Sequence, residues 1–270
     1  MPATEDEKQE AEERSAPTGT VVYEAIFSEG RSELERSTGA LLWSGLAAGL
    51  SMSFSFITSS LLHASLPDAK WRDLVVAMGY PVGFIIVILG RQQLFTENTL
   101  TVILPLLTKR NRETFLNVCR LWAAVLVANA VGAILVALVL AKTEVVRPET
   151  FQSMRELAKA SQQGSFSLVF LRGIFAGWLI ALTVWLLPYA ETGRVWVIAI
   201  ITYVIGAAHF SHVIAGAVEA AFLVMTGISS WAEFTLGFFV PALLGNIVGG
   251  VLLVAVLNHA QVVAGKADDT

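Results

Sequence analysis

Two histidines and a glutamate, His209, His212 and Glu219, stand inside an otherwise apolar run from Trp196 to Met225. A run of that length can cross a bilayer. Ionisable groups at such depth are costly unless they face a protein interior or a water-filled path. A histidine there can attract an anion, donate a hydrogen bond to it and lend it a proton, because imidazole titrates near neutral pH. A weak acid crosses low-dielectric material far more cheaply when neutral, since the ion pays a large desolvation cost. His212 is thus the first candidate for contact with a transported species, with a purely structural hydrogen bond as the alternative. His209 lies one helical turn away, and the same alternative applies. Two histidines without a carboxylate or cysteine set do not make a metal site, so no metal or cofactor is expected.

A second set of chemically active residues interrupts another apolar run, Met78 to Leu107, at the segment GRQQLFTEN, Gly90 to Asn98. Arg91 and Glu97 cannot face lipid at that depth. The break predicts two half-helices around a non-helical element buried in protein. Phe95 beside Thr96 reads as a hydrophobic constriction followed by a hydroxyl donor, with ordinary aromatic packing as the alternative. Arg172 and Glu219 add to Arg91 and Glu97 as ionisable groups within apolar runs. They either pair between helices, with Arg172 reaching for a membrane edge, or one of the arginines sets a positive potential for anions while the acids tune it. Asn129 and Asn246 are expected to tie the broken segments in place through side-chain hydrogen bonds.

These residues need a membrane scaffold, and the composition supplies one. Of 270 residues, 55% are hydrophobic and 15% charged, against about 25% charged in a soluble domain. The mean hydropathy is +0.65. The formal charge of −4 says little, because Glu5, Asp6, Glu7, Glu10, Glu12 and Glu13 crowd the start of the chain. No basic surface for nucleic acid is visible. The same acids occupy the place of a signal peptide's positive region, so none is expected. The single cysteine, Cys119, excludes an intrachain disulfide. No nucleotide-binding loop, nucleophile elbow or HExxH motif is present, which argues against an enzyme or an ATP-driven pump.

The expected organisation is an acidic, disordered stretch 1–20, an amphipathic surface helix 21–38, a first three-helix unit 39–140, an interfacial connection 141–164, a second three-helix unit 165–257 and a tail 258–270. In the surface helix Val22, Ile26 and Leu34 are expected along the membrane, and Gly30 weakens the helix. Phe151, Met154 and Leu157 suggest a short interfacial helix in the connection. The basic loop Thr108 to Glu113 should be cytoplasmic, and six crossings put both termini on that side. The two units repeat: GLAAG at 45–49 resembles GIFAG at 173–177, and NAVGAILVALVL at 129–140 resembles NIVGGVLLVAVL at 246–257. Phe95 precedes Asn129, and His212 precedes Asn246, by the same 34 residues. Three crossings per unit invert the second copy relative to the first. The fold class is an all-α polytopic membrane protein with an inverted 3+3 repeat whose second and fifth helices are broken.

On LFTEN at 94–98, NAVGA at 129–133, HFSHVIAG at 209–216 and GNIVGG at 245–250, the chain resembles the formate/nitrite transporter family over residues 20–260. The resemblance implies an aquaporin-like fold, a homopentamer in a plasma membrane such as the bacterial inner membrane, and one pore per protomer for small monovalent anions such as formate, nitrite or hydrosulfide. It implies that Phe95 and Thr96 form the constriction, that His212 is the central pore histidine and that Asn246 is the family's asparagine. Four positions depart from the family pattern. Gly216 stands where the family has asparagine, Glu97 where it has serine, and Ile205 where it has phenylalanine. The family's lysine before the fourth helix falls near Ser161 or Gln162, so Arg91 or Arg172 would have to replace it. The rival expectations are an aquaglyceroporin-like channel for neutral solutes and a non-conducting membrane binding or regulatory protein.

Overall fold

A computed structural model describes Thr4 and residues 18–268, so most of the stretch expected to be disordered lies outside the described residues. Every regular element described is helical. Helix α1 (Gly19–Glu35) precedes α2 (Thr38–Ser65). Helix α3 (Arg72–Leu89) tightens to a 3-10 turn at Ala77–Gly79. After a break come α4 (Asn98–Thr101) and α5 (Ile103–Lys109), then α6 (Arg112–Lys142) and α7 (Pro148–Ser161). Helix α8 (Phe166–Leu186) is followed by α9 (Arg194–Ala207), a second break, and α10 (Val213–Met225). Helix α11 (Glu233–Ala264) continues to Asp268 through the stretch expected to be a tail.

The helix ends are written in the sequence. Ser37, Asn111 and Ser165 cap α2, α6 and α8, their side chains accepting from the amides of Ala40, Thr114 and Leu168, which satisfies donors that a helix start leaves free. Arg110 enters the left-handed region and stops α5. Helices α2, α3, α6, α8 and α11 are each long and apolar enough to cross a membrane. The protein is an all-α, multi-pass membrane protein.

Helix pairs pack where glycine lets backbones meet. A Cβ on Gly49 would collide with the carbonyl oxygen of Asn129, and one on Gly177 with that of Asn246. The repeated GLAAG and GIFAG segments therefore seat α2 on α6 and α8 on α11.

Two surface expectations change. Val22 and Ile26 are buried against protein, and α1 packs on α4, α5 and the end of α11. Gly30, which costs the helix some propensity, sits against the carbonyl of Thr101, where a Cβ would collide. Tyr23 fixes α1 further, its hydroxyl bonded to Thr108 at 3.0 Å and His259 at 2.8 Å. Met154 of α7 is likewise buried, and Phe151 meets Phe222 of α10 edge-on at 5.4 Å. Both apolar stripes face the bundle, that of α1 covering the short helices α4 and α5 and that of α7 covering α2 and α10.

Gly49→Val and Gly177→Val are each expected to abolish the monodisperse protein peak in detergent. Gly39→Val, at a site with open space around it, should leave the peak unchanged.

Candidate functional site

The two breaks are built alike. At the first, the amide of Arg91 bonds the carbonyl of Ile88 at 3.2 Å, and that of Gln92 bonds Val87 at 3.0 Å. At the second, His209 bonds Gly206 at 3.2 Å and Phe210 bonds Ile205 at 3.0 Å. These are paired helix-terminating bonds that require a left-handed residue at the turn. Arg91 has φ 54° and His209 has φ 52°, in a region where a side chain costs energy and glycine does not. Arg91 and His209 are thus equivalent positions in the two halves.

Behind each turn the chain runs without helical hydrogen bonds, and one asparagine satisfies it. Asn129 Oδ1 accepts from the Phe95 amide at 2.9 Å, while its Nδ2 donates to the carbonyls of Gly45 at 2.7 Å and Gln93 at 2.9 Å. Asn246 Oδ1 accepts from the Val213 amide at 2.9 Å, and its Nδ2 donates to Gly173 at 2.9 Å and Ser211 at 2.8 Å. Both asparagines are fully buried. The equal spacing in the sequence pairs Phe95 with His212. The hydrogen bonds instead pair Phe95 with Val213, because the stretch from break to asparagine is one residue shorter in the second half.

The breaks meet at one side-chain contact. Thr96 Oγ1 lies 2.8 Å from His212 Nε2, and both residues are buried. His212 also caps α10, its Nδ1 accepting from the Ala215 amide at 3.2 Å. A ring that accepts at Nδ1 carries its proton on Nε2, which therefore donates to the Thr96 hydroxyl. The hydroxyl keeps its own hydrogen for another acceptor. Phe84 presses edge-on against the imidazole at 4.9 Å.

Two cavities approach this contact from opposite sides and share no lining residue. The first, about 100 Å³, reaches His212 and is lined among others by Tyr80, Ile205, His209 and Glu219. The second, about 270 Å³, is lined by Glu29, Arg91, Gln93, Glu97 and Arg194 among others. Glu97 of the second cavity follows Thr96 directly in the chain, and Thr96 bonds His212 of the first.

The expected residues fall unevenly around this arrangement. Phe95 lines neither cavity; its ring meets Trp122 edge-on at 5.5 Å, and the Trp122 Nε1 donates to the Asn98 carbonyl at 3.1 Å. Arg91 pairs with Glu29 of α1 at 2.8 Å rather than with another residue of the apolar runs. One oxygen of Glu97 has no hydrogen-bond partner. Arg172 lines neither cavity and donates to the Gln163 carbonyl at 3.1 Å. It therefore supplies no cation to either cavity, because it lies within two turns of the α8 start and reaches back to that connection. Gly216 lines the first cavity, and the space a Cβ would take there is filled by the Phe238 ring.

Sequence reasoning missed Ser55, Gln93 and Glu29. In the serine run of α2, Ser53 bonds its own helix, donating to Leu50. Ser55 instead donates to the Tyr80 carbonyl and accepts from the Gly83 amide at 3.1 Å, splinting α3 around Pro81. The signal was Pro81 itself, which has no N–H to give.

Residues 20–260 match the family described as Formate/nitrite transporter. The chain belongs to the formate/nitrite transporter family. It is a membrane channel or transporter for small monovalent anions of the formate and nitrite type, not an enzyme. It is 36% identical over 251 residues to Inner membrane protein YfdC of Escherichia coli (strain K12), covering 93% of this chain and 81% of that one. It is 26% identical over 239 residues to the Formate channel BtFdhC of Bacillus thuringiensis, covering 85% and 89%. Among solved structures, an FNT family ion channel superposes with a TM-score of 0.76 at 20% identity, covering 88% of this chain and 97% of that one. A pentameric formate channel with formate bound superposes with a TM-score of 0.69 at 20% identity, covering 82% and 95%.

Asn129→Ala and Asn246→Ala each strand one amide and two carbonyls, and each should cost about 3 kcal/mol or more, read as a lowered thermal midpoint in detergent. His209→Gly relieves the left-handed turn and should raise the same midpoint.

Proposed function

We propose that each protomer holds a pore that joins the two cavities through the Thr96–His212 contact and passes a small monovalent anion or its weak acid. The observation that carries this reading is the 2.8 Å bond between Thr96 and His212, the narrow point where two inverted half-units converge. On this reading the chain makes six crossings, with α3 and α4–α5 forming the second and α9 and α10 the fifth. The matching turns and asparagine clamps support an inverted 3+3, aquaporin-like repeat. Both termini face the cytoplasm, on the side of the Lys109–Arg112 loop. The second cavity then opens inward and the first outward. The relative named an inner membrane protein supports the bacterial inner membrane, and the solved pentameric channel supports a homopentamer.

His212 offers its Nε2 proton to Thr96, and Thr96 offers its hydroxyl hydrogen to the passing oxygen. A small anion or acid thus meets a donor whose direction is set from behind. Phe84 and Phe95 keep the surroundings apolar, so hydrated ions cannot bring their water shells. Ile205 and His209 shape the outer cavity, Arg91 and Glu97 the inner one, and Asn129 and Asn246 hold the breaks in position. Glu219 tunes the outer cavity, and Arg172 anchors α8 at the membrane edge.

Liposomes containing the purified protein should take up formate or nitrite faster than protein-free liposomes. Thr96→Val keeps the shape and removes the hydroxyl. It should cut that uptake about tenfold, the worth of 1.4 kcal/mol, without changing assembly. Glycerol uptake with no anion or acid uptake would sink the reading.

A further inference from the structure

The Thr96–His212 geometry leaves a proton-coupled pore without an obvious proton donor. His212 uses both ring nitrogens, one capping α10 and one on Thr96. To lend its Nε2 proton it would have to give up the bond that orients Thr96. To hold a second proton it would have to give up the cap.

Another acid lies on the same face of α10. His212, Gly216 and Glu219 all line the first cavity, and their i, i+4, i+7 spacing places them in one stripe. Glu219 is two turns from His212, about 10 Å along the axis. The Ser161 hydroxyl of α7 lies beside its carboxyl group. The other titratable groups around the cavity are Asp73 and Tyr80 of α3 and the break histidines His209 and His212. Helices α2, α7 and α11 contribute only uncharged side chains to it, and no lysine or arginine lines it. Arg72, next to Asp73, is held elsewhere, bonding the His63 carbonyl and ring. A bare carboxylate facing no cation at membrane depth is costly, and a proton removes that cost.

We infer that Glu219 is the proton-exchanging residue of the outer cavity, handing a proton to each weak-acid anion before it reaches Thr96 and His212. The inference rests on the anion-pore reading above. In the step, the O–H bond of Glu219 breaks and a new O–H bond forms on an oxygen of the formate or nitrite anion. The neutral acid passes the constriction. Glu219 is left as a carboxylate and takes a proton from outer water at the Asp73 end of the cavity. One anion and one proton cross together, with no net charge moved.

The test compares initial formate uptake into liposomes at about pH 5 and about pH 7.5, conditions that differ in how much neutral acid is already present outside. Glu219→Gln keeps the shape and cannot carry the proton. It should lower uptake about tenfold or more at the higher pH and stay within about twofold of the unmodified protein at the lower. Glu219→Asp should restore the profile. Equal loss at both pH values, no change, or a gain at the higher pH would overturn the inference. Absence of formate and nitrite uptake by the unmodified protein at both pH values would instead overturn the anion-pore reading. If Glu219→Gln gives no monodisperse protein, Ser161→Ala decides. It removes the hydroxyl beside the acid and should shift the pH at which uptake is half-maximal, and an unmoved midpoint would count against the relay.

Discussion

Inside a bilayer a backbone amide or carbonyl has no water to turn to, and a chain that leaves the helix there must find partners within the protein. Asn129 and Asn246 meet that demand. Each supplies one acceptor and two donors, the full capacity that the flanking residues of a break require. Everything near the centre of the bundle follows from those two side chains. They hold the segment with Phe95 and Thr96 on one side and the segment ending in His212 on the other. The glycines at 49 and 177 are needed because the asparagine-bearing helices must come close enough for the amides to reach across.

The same economy governs the histidine. A ring that caps one helix and donates to a hydroxyl on another has a defined tautomer and a defined direction. It therefore acts as a fixed dipole between the two breaks, and the hydroxyl it orients keeps its own hydrogen for another acceptor. The acid nearest that contact in the chain is Glu97, the residue after Thr96. In the second cavity Arg91 is held by Glu29, and in the first the carboxylates are those of Asp73 and Glu219. An ion pair at that buried contact would have to repay the desolvation of both partners.

Much of this was legible in the sequence because lipid imposes strict rules. A charged or amide-rich stretch such as GRQQLFTEN inside an apolar run cannot be a continuous lipid-facing helix, and the structure breaks there. Asn129 and Asn246 stood out for the same reason. What escaped were properties that depend on partners far apart in the chain. The faces of α1 and α7 are amphipathic whether they meet lipid or protein, so periodicity could not tell the two apart for Val22, Ile26 or Met154. Arg172 and Arg91 look alike in an apolar run, and only their partners separate them: the Gln163 carbonyl for Arg172 and Glu29 of α1 for Arg91. The pairing of Phe95 with Val213 rather than His212 is a one-residue difference in how the chain enters α10, which identical spacings conceal.

The ring of Phe238 occupies the volume that any side chain at position 216 would need. The two positions on α10 and α11 therefore form a single steric unit and are not free to vary separately. A side chain at 216, one turn from His212, requires the Phe238 ring to move aside or to be replaced by something smaller. Position 238 on α11 thus limits what position 216 on α10 can add to the polar groups that His212 and Glu219 already present to the first cavity.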